Sequence, residues 1–215
     1  MKKTTNLPKQ TKEWEMACVK TRRNLGKREE RLSVFKIGKK QKVLDLGCGD
    51  GLNTSILVKK GVKNIVGVDI SSKLVKNAKS INPKIKFYKA SAEKLPFKDN
   101  SFDVVLVDSV FHHLMGYSKS LLEIKRVLKP KGRLCFIEPH NSLVRNIYDK
   151  LCEWSIGKYI PLLKNRRDSY LKEIDFMKHW LRTEKSFFKK LVNLGFKEKM
   201  KKLDMLSVIG IYEVK

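Results

Sequence analysis

The residues best suited to bind a small polar ligand lie in the segment VLDLGCGDG, from Val43 to Gly51. Three glycines, Gly47, Gly49 and Gly51, follow an apolar run at every second position, and a helical pattern begins directly after them. Glycine is needed where the backbone takes a positive φ or where a ligand approaches the main chain with no Cβ in the way. The segment therefore predicts a strand-to-helix turn that binds a nucleoside-type ligand.

The main competing interpretation is a dinucleotide site with the pattern G-x-G-x-x-G. The third glycine of that pattern would fall at position 52, which is Leu52. Dinucleotide enzymes use the wider spacing to place a pyrophosphate at the helix N-terminus. The spacing G-x-G-x-G disfavours NAD as the ligand.

A carboxylate follows at the end of the next strand pattern, in NIVGVDIS. It is Asp69, 20 residues after Gly49. At that place a carboxylate can accept hydrogen bonds from both hydroxyls of a ribose. The alternative is an acidic cap for the helix predicted from Ser72, and the two roles are compatible.

Five motifs in one order, VLDLGCGDG, GVDIS, ASAEKLPF, NSFDVVLVDSVFHHL and LKPKGRL, lie between Gln41 and Glu138. Together they resemble the class I S-adenosylmethionine (SAM)-dependent methyltransferases of the type 11 group. The resemblance implies an α/β fold with a doubly wound, mostly parallel seven-stranded sheet, and SAM as the cofactor. SAM carries no phosphate, which agrees with the short glycine spacing. The cofactor-binding residues that we expect on this basis are Asp45, Gly47, Cys48, Gly49, Gly51, Asp69, Ile70, Ser91, Ala92, Glu93 and Asp108.

Two parts of this expected site depart from the family pattern or leave a role open. Where the family usually has an aspartate that reaches the adenine amine, this chain has Ser91, whose hydroxyl can also accept that bond. After the fourth strand the sequence continues through His112 and His113. We predict His113 as a general base, while both histidines could instead pack or cap a helix.

The elements that must position these residues alternate between short β-branched runs and longer amphipathic runs, as in βα units around a parallel sheet. The predicted strands are Lys42–Leu46, Asn64–Asp69, Ile85–Lys89, Phe102–Asp108, Arg133–Glu138, Phe196–Leu203 and Leu206–Val214. The predicted helices are Asn53–Lys60, Ser72–Ser80, Ser118–Leu128, Ser142–Trp154, Ser169–Leu181 and Glu184–Leu194.

Two helical segments flank or interrupt this rhythm. Residues 1–40 are predicted as an N-terminal helical segment that covers the site, with a helix from Thr11 to Phe35 and Gly26 as a candidate break; its expected inward contacts include Trp14, Cys18, Leu32 and Phe35. The methyltransferase domain then spans 41–215. Within it, residues 139–183 are predicted as a helical insertion that acts as a lid after the fifth strand.

Charge and cysteine usage restrict the partners less than the motifs do. The chain has 48 basic and 22 acidic residues, a net charge of +26, which would attract polyanions. The four cysteines lack metal-ligand spacing, so we expect free thiols and no bound metal. The apolar runs are too short to span a bilayer. We therefore expect a cytoplasmic protein, with peripheral binding to a membrane as an option.

The sequence contains no motif that identifies the methyl acceptor. Asp108-Ser109-Val110-Phe111 lacks the N/D-P-P-Y/F tetrad of the adenine methyltransferases that share this fold, and no cysteine follows a proline as cytosine C5 enzymes require. We expect a small-molecule or lipid-like acceptor. The alternatives are RNA or another polyanion bound through the basic surface, and a non-catalytic SAM-binding adaptor.

Overall fold

The structure is a computed structural model that describes residues 25–154, 159 and 161–215. Its centre is one seven-stranded sheet. The strands are β1 (Lys42–Leu46), β2 (Asn64–Asp69), β3 (Lys86–Lys89), β4 (Phe102–Asp108), β5 (Leu128–Pro139), β6 (Phe196–Leu203) and β7 (Ser207–Val214). Their order in the sheet is β3-β2-β1-β4-β5-β7-β6. Strand β7 runs opposite to the other six and pairs antiparallel with both β5 and β6. This confirms the predicted fold class.

The central strands contain continuous apolar runs because helices cover both faces of the sheet. In β4, Val104 and Leu106 pack into the core on one face, while Val105 and Val107 pack into the core on the other. All four side chains are fully buried. Successive side chains of a strand point to opposite faces, so a continuous apolar run builds two cores at once.

The helices are α1 (Leu25–Ser33), α2 (Leu52–Lys59), α3 (Ser72–Ile81), α4 (Ser118–Val127), α5 (Leu143–Glu153) and α6 (Pro161–Asn193), with a short 3-10 turn at Phe111–His113. Serine hydroxyls cap two of them: Ser71 accepts from the N–H of Leu74 at 3.2 Å, and Ser142 accepts from Arg145 at 3.0 Å. Such caps satisfy N–H groups that have no partner within the helix. None of the described helices is both long and apolar enough to cross a bilayer.

The prediction of two helices at 169–181 and 184–194 was wrong, since α6 is one continuous helix. Its buried side chains include Met177, Trp180, Glu184, Phe187 and Leu191, at alternating spacings of three and four residues. That spacing is one unbroken helical face. Residues 182 and 183, between the two predicted helices, lie within this one helix and outside its buried face.

Strand β5 begins at Leu128, five residues before the predicted start. Leu128 pairs with Phe102, and the register then shifts before Arg133 pairs with Val104. The Lys-Pro-Lys-Gly stretch thus lies inside the strand as an irregularity, with Lys131 at φ 61. A turn-forming composition alone could not distinguish this from the end of the helix.

The part of the N-terminal prediction that can be compared is α1. Gly26 is the second described residue of this helix, and the residues before it that a break would involve lie outside the described ones. Leu32 and Phe35 are buried as expected. Trp14 and Cys18 also lie outside the described residues. Cys48, Cys135 and Cys152 are free and buried.

Candidate cofactor site at the carboxyl edge of the sheet

The glycine turn between β1 and α2 has the backbone that its sequence predicts. Gly47, Gly49 and Gly51 have φ values of 70, 56 and 80. A Cβ on Gly47 would lie 2.2 Å from Cγ2 of Val110, so this position excludes any larger residue. The N–H groups of Gly47 and Cys48 both donate to the carbonyl of Val68, at 2.7 and 3.0 Å, which holds the turn against β2.

Asp69, at the end of β2, joins this turn to the next one. Its carboxylate accepts from the N–H of Gly49 at 2.9 Å and from the N–H of Ser71 at 2.8 Å. The cap of α3 is the hydroxyl of Ser71 and not Asp69. Asp69 therefore fixes the shape of the glycine turn and stays at the place where a ribose is expected.

Asp45 is a fully buried carboxyl group at the start of the same turn. One oxygen accepts from the Thr54 hydroxyl at 2.7 Å, while Oδ1 has no hydrogen-bond partner among the described residues. Burial raises the pKa of Asp45 to about 6, although the Thr54 bond favours the charged form. A buried oxygen without a hydrogen-bond partner, such as Oδ1 of Asp45, could accept a hydrogen bond from an N–H group of a ligand. Burial also raises the pKa of the neighbouring Cys48 thiol, so a reactive thiolate is disfavoured there.

Asp108, at the end of β4, is bound by two residues that the sequence patterns did not identify. Arg28 of α1 donates to its Oδ2 at 2.8 Å, and the amide of Asn53 donates to the same oxygen at 3.1 Å. Arg28 also donates to the side-chain oxygen of Asn53 at 2.7 Å. Arg28 was one cation among 48 basic residues, and only the packing of α1 over this edge distinguishes it.

The two histidines after β4 differ in their surroundings. His112 is buried, and its Nδ1 lies 2.7 Å from Oε2 of Glu138 at the end of β5. Oε1 of the same carboxyl accepts from the N–H groups of Val110 and Phe111, both at 2.7 Å. Burial raises the pKa of Glu138 to about 8. Glu138 thus positions the whole turn that carries the histidines, a role that its sequence context did not reveal.

His113 is only partly buried, and its ring meets Phe176 of α6 nearly edge-on, with centroids 5.8 Å apart. Glu173, one helical turn before Phe176, also reaches this place. His112, His113 and Glu173 each have a ligand-type atom, and these atoms lie within 4.8 Å of one another. The predicted insertion therefore brings an acid and an aromatic ring to the predicted base.

The remaining expected cofactor residues lie along the ends of β2 and β3. Ile70 is 49% exposed, a high value for an aliphatic side chain beside a core strand. Ser91 and Ala92 are half-buried and Glu93 is exposed. The Ser91 hydroxyl accepts from the N–H of Glu93 at 3.2 Å, which leaves its second lone pair and its own hydrogen for other partners.

A sheet of this order, with a glycine turn after β1 braced by a carboxylate at the end of β2, has the fold of the class I SAM-dependent methyltransferases. Residues 44–136 match the model of a family described as "Methyltransferase domain". Over these residues the chain resembles the type 11 methyltransferase family.

Curated relatives and a solved structure agree with this assignment. The chain is 32% identical over 143 residues to a demethylmenaquinone methyltransferase of Paenarthrobacter aurescens. The aligned region covers 65% of this chain and 56% of that protein. It is 28% identical to a ubiquinone/menaquinone biosynthesis C-methyltransferase of Campylobacter jejuni, over 78% of this chain and 75% of that one. A SAM-dependent methyltransferase from Aquifex aeolicus superimposes with a TM-score of 0.63 at 21% identity, over 87% and 89% of the two chains. The chain thus spans little more than half the length of the first of these relatives.

The charges at this edge fit the methionine end of SAM, which has an ammonium and a carboxylate. The buried Oδ1 of Asp45 needs a donor, and an ammonium is one. The Arg28 guanidinium is a donor that suits a carboxylate. The nucleoside half would lie against Gly49, whose φ is positive, and the exposed Ile70.

Proposed function

We propose that this protein transfers the methyl group of SAM to a hydroxylated, quinone-like aromatic ring. The observation that carries the proposal is the site at the carboxyl edge. There the glycine turn, with Asp69 and the Asp45 Oδ1 that lacks a partner among the described residues, lies against Val110, three residues before a histidine with an aromatic neighbour. Relatives named as quinone methyltransferases support the acceptor class.

Asp45 and Arg28 would hold the methionine end of the cofactor, and Asp69 and Ser91 the nucleoside end. SAM, when bound, supplies an electrophilic methyl group on a positively charged sulfur. Alignment of the acceptor and exclusion of water then contribute most of the rate. The segment 139–183 would close over the acceptor as a lid, and residues 25–33 would cover the cofactor.

A base is needed when the accepting atom carries a proton at working pH, as a hydroquinone ring does. His113 is suited to take that proton because it is the less buried of the two histidines. Glu138 would act through His112, since it fixes the backbone and the ring beside His113. Phe176 offers a flat apolar surface next to the base, on which an aromatic acceptor can stack.

The test combines a binding and a turnover measurement. Calorimetry with SAM, S-adenosylhomocysteine and NAD should show heat for the first two only. Tritiated SAM with a short-chain demethylmenaquinol should give a labelled product whose mass increases by one methyl group. The proposal fails if SAM does not bind, and it fails in its catalytic part if SAM binds and no quinol, phenol or cell extract becomes labelled.

Two variants assign the roles. Asp69→Asn keeps only one acceptor oxygen, so we expect SAM to bind about tenfold or more weakly. The matched control is Asp99→Asn, since Asp99 is exposed and pairs only at the surface with Arg126. His113→Asn should lower kcat about 100-fold or more and leave SAM affinity unchanged.

A further inference from the structure

Helix α5 and the β6–β7 turn together expose an unusual number of large apolar side chains. We call these five residues the α5 patch: Leu143 (76% exposed), Val144 (45%), Ile147 (51%), Leu203 (50%) and Met205 (69%). The two elements are adjacent, because the Ser142 hydroxyl donates to the carbonyl of Met205 and the N–H of His140 donates to Leu206 at 3.1 Å.

The inner face of α5 is buried against α6. Leu151 and Cys152 pack with Tyr170, Ile174 and Met177 of α6. A surface helix normally has one apolar stripe and a polar opposite face. Helix α5 has an apolar inner face and further apolar residues on its exposed side, which is typical of a surface that binds a partner.

The charges near the patch select the kind of partner. Lys150 is exposed on α5, and Lys201 and Lys202 are exposed directly before Leu203. The two acids of α5 are held by cations of the protein itself, Asp149 by Arg145 at 2.8 Å and Glu153 by Lys178 at 3.0 Å.

One acid, Asp204, lies between two residues of the patch, Leu203 and Met205. Asp204 accepts from the N–H groups of Leu206 and Ser207 and from the Ser207 hydroxyl, so its oxygens are occupied by the turn. The net charge of the whole chain is +26. The partner that fits is therefore anionic at its surface and apolar beneath it.

We propose that the α5 patch docks the protein onto the surface of an anionic lipid bilayer. Aliphatic side chains enter the boundary of the acyl chains while the lysines contact the headgroups, as in interfacial helices. A nucleic acid would satisfy the lysines but would leave the aliphatic side chains against phosphate. Helix α5 begins four residues after the end of β5, so docking brings the carboxyl edge of the sheet to the membrane. If the proposed function also holds, this face receives the lipid-soluble acceptor.

The experiment measures binding of the full-length protein to vesicles of phosphatidylcholine with about one third phosphatidylglycerol, by flotation at low salt. The double variant Leu143→Asp with Ile147→Asp should lower the partition coefficient about 100-fold, since each buried aliphatic side chain contributes at least about tenfold. The matched control is Leu122→Asp with Val192→Asp, which alters two helix residues of similar exposure, 52% and 59%, outside the patch. It should bind within about twofold of the parent.

The lysines are tested separately. Lys150→Gln and Lys202→Gln should each weaken binding to anionic vesicles about fivefold, and high salt should remove this difference. All variants alter exposed residues, and their unfolding midpoints should match that of the parent.

Three results would overturn the proposal. The first is no flotation of the parent with anionic vesicles, and the second is equal binding of the α5 patch variant. The third is a parent dimer that this variant converts to a monomer, which would make the face a contact between copies. If the second result is seen and RNA displaces the parent and the α5 patch variant equally from the vesicles, the partner is a nucleic acid instead. Calorimetry with SAM and turnover of a water-soluble hydroquinone are independent of docking, so a failure there concerns the proposed function alone.

Discussion

Asp45→Asn tests two properties of one buried carboxyl group: its effect on stability and its proposed part in cofactor binding. Its pKa rises from 3.8 in the unfolded chain to about 6 in the folded protein through burial. The folded state therefore binds the proton more tightly than the unfolded state. Stability from this group is present below about pH 4 and is lost as the pH rises to about 6, by about 3 kcal/mol in total.

The asparagine variant lacks this titration. In urea unfolding without ligand, the free energy of unfolding of the variant relative to the parent should therefore increase by about 3 kcal/mol between pH 4 and pH 7. Asp99→Asn is the control, since Asp99 is 69% exposed at its side chain, and its difference from the parent should stay nearly constant.

The same variant should bind SAM more weakly, because the amide cannot provide a charged partner for the ammonium group. The loss of one charge-assisted bond corresponds to about 10- to 150-fold in Kd at pH 7. The parent should bind about tenfold more weakly at pH 5 than at pH 7, since Asp45 is then mostly protonated, while the variant should change less than about twofold. A constant difference in unfolding free energy across the pH range, or equal pH dependence of SAM binding in both proteins, would refute this account of Asp45.

Three further results are expected. Gly47→Ala places a Cβ 2.2 Å from Val110 at a residue with φ 70, so in urea unfolding it should lower the free energy of unfolding by about 2 to 4 kcal/mol. Gly26→Ala lies on α1 with nothing within 4 Å of the added Cβ, and in the same assay it should raise the free energy of unfolding by up to about 1 kcal/mol. Trp180→Ala removes a fully buried ring whose Nε1 donates to the Pro139 carbonyl at 2.7 Å and should cost about 3 to 5 kcal/mol in the same assay. Methyl transfer should be unchanged by EDTA; loss of activity that zinc restores would show that the histidine pair acts through a metal.

The sequence predicted those features whose physical cause is local. The glycines at 47, 49 and 51 require positive φ wherever the chain folds, and the β-branched runs predict strands by composition and period. Four predicted strand ranges, at Lys42, Asn64, Phe102 and Phe196, match the structure at both ends. Asp69 was identifiable because the strand end alone determines its place.

The residues that the sequence did not reveal act through contacts between distant segments. Glu138 accepts from backbone groups 27 and 28 residues earlier, and Arg28 reaches an aspartate 80 residues later. Glutamate at a strand end and arginine in a basic helix are each common, so neither type nor spacing distinguishes them. Even the continuity of α6 depended on the buried stripe from Met177 to Leu191, which forms only because a core lies beneath it.

The sequence by itself determined the parallel α/β fold and the glycine turn after β1, because glycine conformations and strand periodicity are properties of the local chain. Tertiary structure alone decided which oxygen of Asp45 remains without a partner among the described residues. It also decided which charged side chains meet at the carboxyl edge, and that α5 has apolar residues on its exposed side. Burial and pairing depend on what packs around a residue, and no local pattern contains that information.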